Sequence, residues 1–276
     1  MNYRVRGRIA VYSLLVLFAF LFLFPIYWIL RSSLLDFGEI MSYPPILFPS
    51  ALRVENYDEV LNRVDFLQYI LNTFIIIVPV LVGVGLTSSL AAFGFARIEF
   101  PLKDFWFSLV IMTILLPSIV TLVPTYMGWT ELHLTNSYLP LILPAFFGGG
   151  AFNIFLLRQF LLTIPRDLDE SAVMDGAGFF TIYSRVIMPL VRPALVAVLL
   201  FTFVGVWNDF LGQLVYLNDQ DKYTVALGLS TLRSNLTSPM HLIMAGTMIM
   251  VVPAVVVFLI GQRYFTEGIA TTGIKG

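Results

Sequence analysis

Few residues in this chain could do chemistry, and their surroundings narrow what that chemistry is. Asp209 stands beside Trp207 and Asn208 in an otherwise uncharged stretch, residues 193–217. An aromatic ring, an amide and a carboxylate suit a polyhydroxylated solute, the ring stacking on C–H faces and the polar groups meeting hydroxyls. The same trio could instead clamp two helices together, and Asp209 alone could serve an ion-coupled carrier. A second cluster lies at Glu170-Ser171-Ala172 and Asp175-Gly176-Ala177. Cys is absent, so thiolate nucleophiles and thiolate metal ligands are excluded. The two histidines, His133 and His241, lie far apart next to apolar runs and read as interfacial, so no metal site is expected. There is no G-x-x-x-x-G-K-[ST] phosphate loop, no H-E-x-x-H and no G-x-S-x-G. A membrane-embedded enzyme would lack a convincing acid–base pair, and any energy from ATP must arrive on another chain.

The elements that hold these residues follow from composition. Of 276 residues, 58% are hydrophobic and 12% charged, with a formal charge of -1. Soluble domains average about 25% charged residues, so this chain cannot cover its apolar surface in water. Low charge and 15% aromatics argue against disorder, and the absence of a basic excess argues against nucleic acid as a partner. An integral membrane protein remains.

Charge-free runs place the spans. Residues 9–30, 69–96, 105–130, 132–157 and 242–261 carry no Asp, Glu, Lys or Arg, and residues 193–217 carry Asp209 alone. About 20 residues of helix cross the hydrocarbon, and a helix satisfies its own backbone, so the fold class expected is all-α with six transmembrane helices. The spans fall at about 9–30, 70–95, 105–127, 136–158, 193–217 and 242–261 of a single transmembrane domain, 1–276. With the N-terminus in the cytoplasm, inner segments hold eleven of the 16 Lys and Arg residues and outer segments five, which orients the chain N-in and C-in. The first run follows Arg4, Arg6 and Arg8 but is too long, and lacks a small-x-small site, for a cleaved signal peptide.

Outer loop 31–69 should be extended around Pro44, Pro45 and Pro49 and then form a short helix capped by Asn56, three residues before Glu59. Such a loop either covers the bundle or docks an external partner. Pro79, Pro117 and Gly148-Gly149-Gly150 interrupt spans, which requires neighbouring protein or water to re-satisfy the backbone. Gly83, Gly85, Ser88, Ser89, Ala91 and Ala92 form a small-residue strip for close helix approach. Asn72, Asn153 and Gln159 read as packing contacts. Outer loop 218–240 is polar, and residues 262–276 form a cytoplasmic tail.

Segment 163–192 has structure of its own. Pro165 suits a first helical position, Asp167, Asp169 and Glu170 favour a helix's positive end, and Gly176 and Gly178 stop the helix. A second short helix is expected over 181–186, ended by Pro189, with Pro193 opening the fifth span. The pair is too small to have a core and must pack on something else.

Here the chain resembles a family. Glu170-Ser171-Ala172, Asp175-Gly176-Ala177, Val186-Ile187-Met188-Pro189-Leu190 and Pro193 are similar to the EAA loop of ABC-importer permeases of the carbohydrate uptake, MalG-like type. That pattern reads E-A-A-x-x-D-G-A and then I-x-L-P-L-x-x-P; Ser171, Val186 and Met188 are the departures. The resemblance extends to Ala91-Ala92-Phe93, Arg97, Phe100-Pro101, Arg158-Gln159-Phe160, Trp207-Asn208-Asp209-Phe210, Gln262-Arg263-Tyr264-Phe265 and Lys275-Gly276. It implies a non-catalytic permease subunit of a solute-binding-protein-dependent importer in a bacterial or archaeal plasma membrane. It further implies a second homologous permease subunit, two ATP-binding subunits carrying Mg-ATP, an extracytoplasmic solute-binding protein, and no cofactor on this chain. In the resemblance, Glu170, Ser171, Ala172, Asp175, Gly176 and Ala177 form the coupling helix seated in the ATPase, and the tail reaches along the ATPase dimer. Outer loop 218–240 meets the binding protein. Trp207, Asn208 and Asp209 stay candidates for the solute pathway on their chemistry, since in such pairs the other permease subunit can hold most of the sugar; the cargo implied is a sugar or related polyol.

Overall fold

A computed structural model describes residues 3–233 and 239–270. Among them there are helices and connections and no strand. The helices are α1 (Tyr3–Ser33), α2 (Phe37–Ile40), α3 (Glu55–Arg63), α4 (Phe66–Arg97), α5 (Lys103–Met112), α6 (Ser118–Glu131) and α7 (Leu139–Ile142). They continue as α8 (Ala151–Thr163), α9 (Asp167–Met174), α10 (Phe179–Thr181), α11 (Met188–Trp207), α12 (Leu211–Tyr216), α13 (Val225–Thr231) and α14 (Met240–Ala270). Among the described residues, five stretches are long and apolar enough to cross a membrane: Gly7–Ser33, Phe66–Arg97, Leu139–Thr163, Phe179–Trp207 and Met240–Arg263. Lys103–Leu115 and Ser118–Glu131 together make a sixth candidate, bent by 99° at their junction.

That bend corrects the expectation of one straight helix over 105–127. Leu116 is extended, with ψ 116, because a residue ahead of proline is pushed out of the helical region, and Pro117 follows it. The Gly148–Gly150 triplet breaks the fourth stretch as expected, all three residues having positive φ. Pro79 stays inside α4.

The chain forms two compact units. In one, made from described residues of 1–67 and 228–253, Asn56 is not the helix cap that its spacing suggested. Helix α3 already begins at Glu55, and the buried Asn56 Nδ2 donates to the carbonyls of Ser33 (2.9 Å) and Leu35 (3.0 Å). It thereby satisfies backbone acceptors at and beyond the last turn of α1, which a helix end leaves without intrahelical partners. Arg31, expected in the outer loop, belongs to that last turn and stacks over Trp28 at 4.5 Å. Between these helices the loop is less extended than expected: Asp36 and Glu39 cap a short turn, α2, reciprocally.

The second unit, from described residues of 68–227 and 254–276, has its core where α4, α8 and α11 meet: Ile76, Val84, Phe93, Leu157, Ile187 and Val198. Lipid tails are as apolar as leucine, so close packing and interhelical hydrogen bonds hold these helices rather than exclusion from water. The small-residue strip serves that packing. A Cβ on Gly83 would come within 3.0 Å of Phe146, and one on Gly149 within 3.0 Å of the Val84 backbone. Thr87 Oγ1 donates to the Ala145 carbonyl at 2.9 Å, and Ser89 Oγ shares a hydrogen bond with Tyr183 Oη at 2.8 Å.

Candidate functional site

Segment 163–192 is built from its backbone outward. Ile164 is extended ahead of Pro165, so α9 opens at Asp167, two residues later than proline at the first helical position would place it. Asp167, Asp169 and Glu170 occupy the first turn at the positive end of the helix dipole. The far end closes as a Schellman motif: Gly176 N donates to Val173 O (2.9 Å) and Ala177 N to Ala172 O (2.9 Å). Gly176 has φ +80, a left-handed conformation that glycine adopts without cost. Ala172 and Ala177 turn toward the core, while Glu170, Ser171, Asp175 and Gly176 are exposed. Ser171 Oγ donates back to Asp167 O at 2.7 Å, and the Asp175 backbone N–H ends the helix on Ser171 O.

The second short helix is replaced by a continuous one. Phe179–Thr181 runs through a π-helical stretch, Ile182–Ile187, directly into α11, so Pro189 ends nothing and Pro193 lies inside the helix. Proline at 189 withholds the N–H that Arg185 O would accept; the wide π turn, with Met188 N on Tyr183 O, shifts the bonding pattern past that gap.

Ionic contacts anchor the front of α9. Arg97 Nε lies 3.3 Å from Asp169 Oδ2, an ion pair without hydrogen-bond alignment, and Arg97 Nη2 donates to Ile164 O at 2.9 Å. Arg166 Nη2 and Lys103 Nζ converge on Glu99 Oε1 at 3.4 and 3.0 Å. The Lys103 hydrogen bond and charge, with Arg166 beside them, hold the exposed Glu99 carboxyl below its ordinary range. Behind α9 lies a cavity of about 490 Å³ bordered by Arg97, Asp169, Glu170, Met174 and Phe179. Met174 (87% exposed) and Phe179 (66%) stand uncovered at its edge, and Phe180 (75%), next in the chain, is exposed as well, so apolar side chains lie on a polar end. Such a patch marks a contact with another molecule.

Trp207, Asn208 and Asp209 fall at the break between α11 and α12. Trp207 is 1% exposed, stacked on Phe203 (5.7 Å, 13°) and tilted against Phe74 (5.7 Å). In this conformation it is a packing residue and offers no face to a solute, which corrects the expectation of a stacking platform. Asn208 Nδ2 donates to Val204 O at 2.9 Å, and Asp209 Oδ1 accepts the Gly212 N–H at 3.0 Å, tying down the turn into α12. A few residues away, Asn153, Thr202, Gly149, Gly150, Phe152 and Phe201 line a cavity of about 520 Å³.

At the opposite end from α9, Asn136 (φ 55) is a hub. Its Oδ1 accepts from Asn218 N (3.1 Å) and Asp219 N (3.2 Å), its Nδ2 donates to Asp219 Oδ2 (2.7 Å), and Lys222 Nζ donates to its carbonyl (2.9 Å). Asn72 Nδ2 reaches Asp221 O (2.7 Å) and Tyr223 O (2.8 Å). His133 has φ 55 and His241 meets the Phe37 ring edge-on; no group of metal-binding side chains occurs among the described residues. Residues 234–238, in the loop expected to face outward, and residues 271–276 of the tail, including Lys275-Gly276, lie outside the described residues.

Residues 2–270 match the family of binding-protein-dependent transport system inner membrane components. The chain belongs to this family. Among curated relatives, the arabinooligosaccharides transport system permease protein AraQ of Bacillus subtilis is 30% identical, over 98% of this chain and 96% of that one. The sn-glycerol-3-phosphate transport system permease protein UgpE of Rhizobium meliloti is 31% identical over 94% of each. The diacetylchitobiose uptake system permease protein NgcG of Streptomyces coelicolor is 31% identical over 91% of this chain and 84% of its own. The fold matches a crystal structure of a bacterial ABC transporter involved in the import of the acidic polysaccharide alginate, with TM-score 0.83, covering 95% of this chain and 97% of that one at 23% identity. The expected family is thus borne out, and the ABC-permease fold with it. The chain is a transport subunit rather than an enzyme, with ATP hydrolysed on a separate chain.

Two residues of this permease had no assigned role in the sequence reading, and a third had a different one. Arg97 was quoted only within a motif, and its partner is 72 positions away. Asn136 carried one weak signal, the tolerance of asparagine for left-handed backbone. Asn72 was read as a packing contact and also clamps the loop at Asp221 and Tyr223.

Proposed function

We propose that the chain is one of two homologous permease subunits of an ATP-driven, binding-protein-dependent importer for a sugar or related polyol. It is read as a single domain of six spans with the bent pair counted as one, N-in and C-in, in a bacterial or archaeal plasma membrane. The Lys and Arg asymmetry supports that orientation. The printed substrates of relatives, arabinooligosaccharides, diacetylchitobiose and sn-glycerol-3-phosphate, support the cargo class. Mg-ATP belongs to the two partner ATPases, and this subunit carries no cofactor or metal of its own in this reading.

The observation that carries the proposal is the geometry of α9: an acid-first, Schellman-closed helix, exposed on one side and pinned to α4 by Arg97 on the other. A helix held this way transmits a push on its outer face to a membrane-spanning helix. Glu170 is free to meet a basic group of the ATPase, and Ser171, Ala172, Asp175, Gly176 and Ala177 set the shape of the elbow. Asp209 and Asn208 shape the helix break beside the solute route, and Trp207 supports them from within. The polar outer loop 218–240 docks the solute-binding protein.

A cysteine at Glu170 in the reconstituted importer tests this reading. Crosslinking to the ATP-binding subunit that changes between nucleotide-free and ATP-bound states is expected. Absence of any inter-subunit crosslink from 165–189 overturns it.

A further inference from the structure

A second charged cavity, of about 570 Å³, opens between the α4–α5 turn and α8. Arg158, Lys103 and Arg166 line it together with the carboxylates Glu99 and Asp104, over a floor that includes Phe95, Phe100 and Phe105. Two of the cations are already used, since Lys103 and Arg166 both sit on Glu99 Oε1. Arg158 is not. Its Nε donates to Phe95 O at 3.2 Å and its guanidinium lies over the Phe107 ring at 4.0 Å, and no carboxylate pairs with it among the described residues.

A surface arginine that merely reached for water would extend its head outward. This one is fixed by two contacts, half-buried at the cavity wall, with terminal nitrogens that have no protein acceptor. Asp104 is exposed, and no side-chain partner holds its carboxylate. Nearby, Leu102 (68% exposed), Phe105 (54%) and Trp106 (50%) present apolar surface to the surrounding medium. Charged groups of both signs, an open cleft and adjoining apolar surface at a span end are what a lipid at the membrane interface meets.

We propose that this cavity seats the headgroup of a zwitterionic phospholipid, its phosphodiester on Arg158 and its primary ammonium on Asp104, with acyl chains along Leu102 and Phe105. A guanidinium binds phosphate through paired N–H donors, and an ammonium donates to a carboxylate. That an unpaired carboxylate and an unpaired guanidinium line the same cavity is the reason the headgroup is zwitterionic rather than purely anionic. The leaflet assignment rests on the N-in orientation proposed above; the lipid contact itself does not.

The test uses the complete importer in nanodiscs of phosphatidylethanolamine, phosphatidylglycerol or phosphatidylcholine, with co-purifying lipid counted by native mass spectrometry. Phosphatidylethanolamine should be retained best. Arg158→Gln should weaken retention about tenfold, as one lost charge-assisted hydrogen bond implies, with Arg158→Lys recovering part of it. Asp104→Asn should erase the preference for phosphatidylethanolamine over phosphatidylglycerol, whereas Arg8→Gln, an exposed arginine elsewhere, should change neither. Inorganic phosphate should not displace the lipid; displacement would make this a free-phosphate site and overturn the proposal. So would equal retention of the three lipids, or unchanged retention in Arg158→Gln. Because lipid counting is blind to sidedness and to the ATPase, failure here leaves the Glu170 crosslink to be decided separately.

Discussion

The Arg97 guanidinium extends from the last residue of α4 to the first turn of α9, with Nε 3.3 Å from Asp169 Oδ2 and Nη2 on the Ile164 carbonyl at 2.9 Å. The Arg97 side chain is 5% exposed and that of Asp169 19%, so the pair is shielded but not sealed. Removing one partner of a fully buried pair costs roughly 3–5 kcal/mol, and partial solvent access reduces that to about 2 kcal/mol here. Arg97→Gln should loosen α9 from α4 and cut substrate-stimulated ATP hydrolysis severalfold. Asp169→Asn should do the same, and the double variant should be little worse than either alone. Additive losses in this double-mutant cycle would show that the two residues do not act together.

Gly176 is a backbone position rather than a packing position. A Cβ there meets nothing within 4 Å, yet φ is +80. A non-glycine residue held left-handed costs about 1–2 kcal/mol, least for asparagine. Gly176→Asn should therefore keep most stimulated ATPase activity and Gly176→Val should lose it, with both proteins inserting in the membrane normally. Equal activity of the two would mean that the elbow does not depend on its Schellman closure.

Asp209 holds the turn into α12 by accepting the Gly212 N–H at 3.0 Å. Asparagine can accept the same bond, so Asp209→Asn should retain ATP-dependent uptake in proteoliposomes, with a stability change of at most about 1 kcal/mol. Loss of uptake with ATPase intact would revive the ion-coupled reading that the sequence left open.

The Asp219 carboxyl is held below its ordinary range by the Asn136 Nδ2–H bond first and then by the Lys222 ammonium. A carboxylate with a lowered folded pKa stabilises above its unfolded value, about 3.9, and that contribution disappears as pH falls through the lower folded value. A spin label at 220 should stay immobile from neutral pH down to about 4 and gain mobility only in stronger acid. Asp219→Asn should abolish that acid step, and mobility rising between pH 7 and 5 would contradict it.

Composition alone settled that this chain lives in a membrane, because 58% apolar residues against 12% charged ones have no other solvent. The six apolar runs, the Gly148–Gly150 break and the end of α9 at Gly176 were also readable locally, since each depends on neighbours in sequence and on what glycine alone permits. The EAA pattern carried the family in the same way. Tertiary structure decided the rest. Pro189 looked like a stop, but a π turn upstream absorbed its missing N–H and the helix continued. Asn56 looked like a cap, but its amide met carbonyls 23 and 21 positions away. Trp207 looked like a platform for a solute, but Phe74 and Phe203 closed over it. Local spacing encodes what the backbone tolerates; which side chain meets which waits on helices brought together from distant parts of the chain.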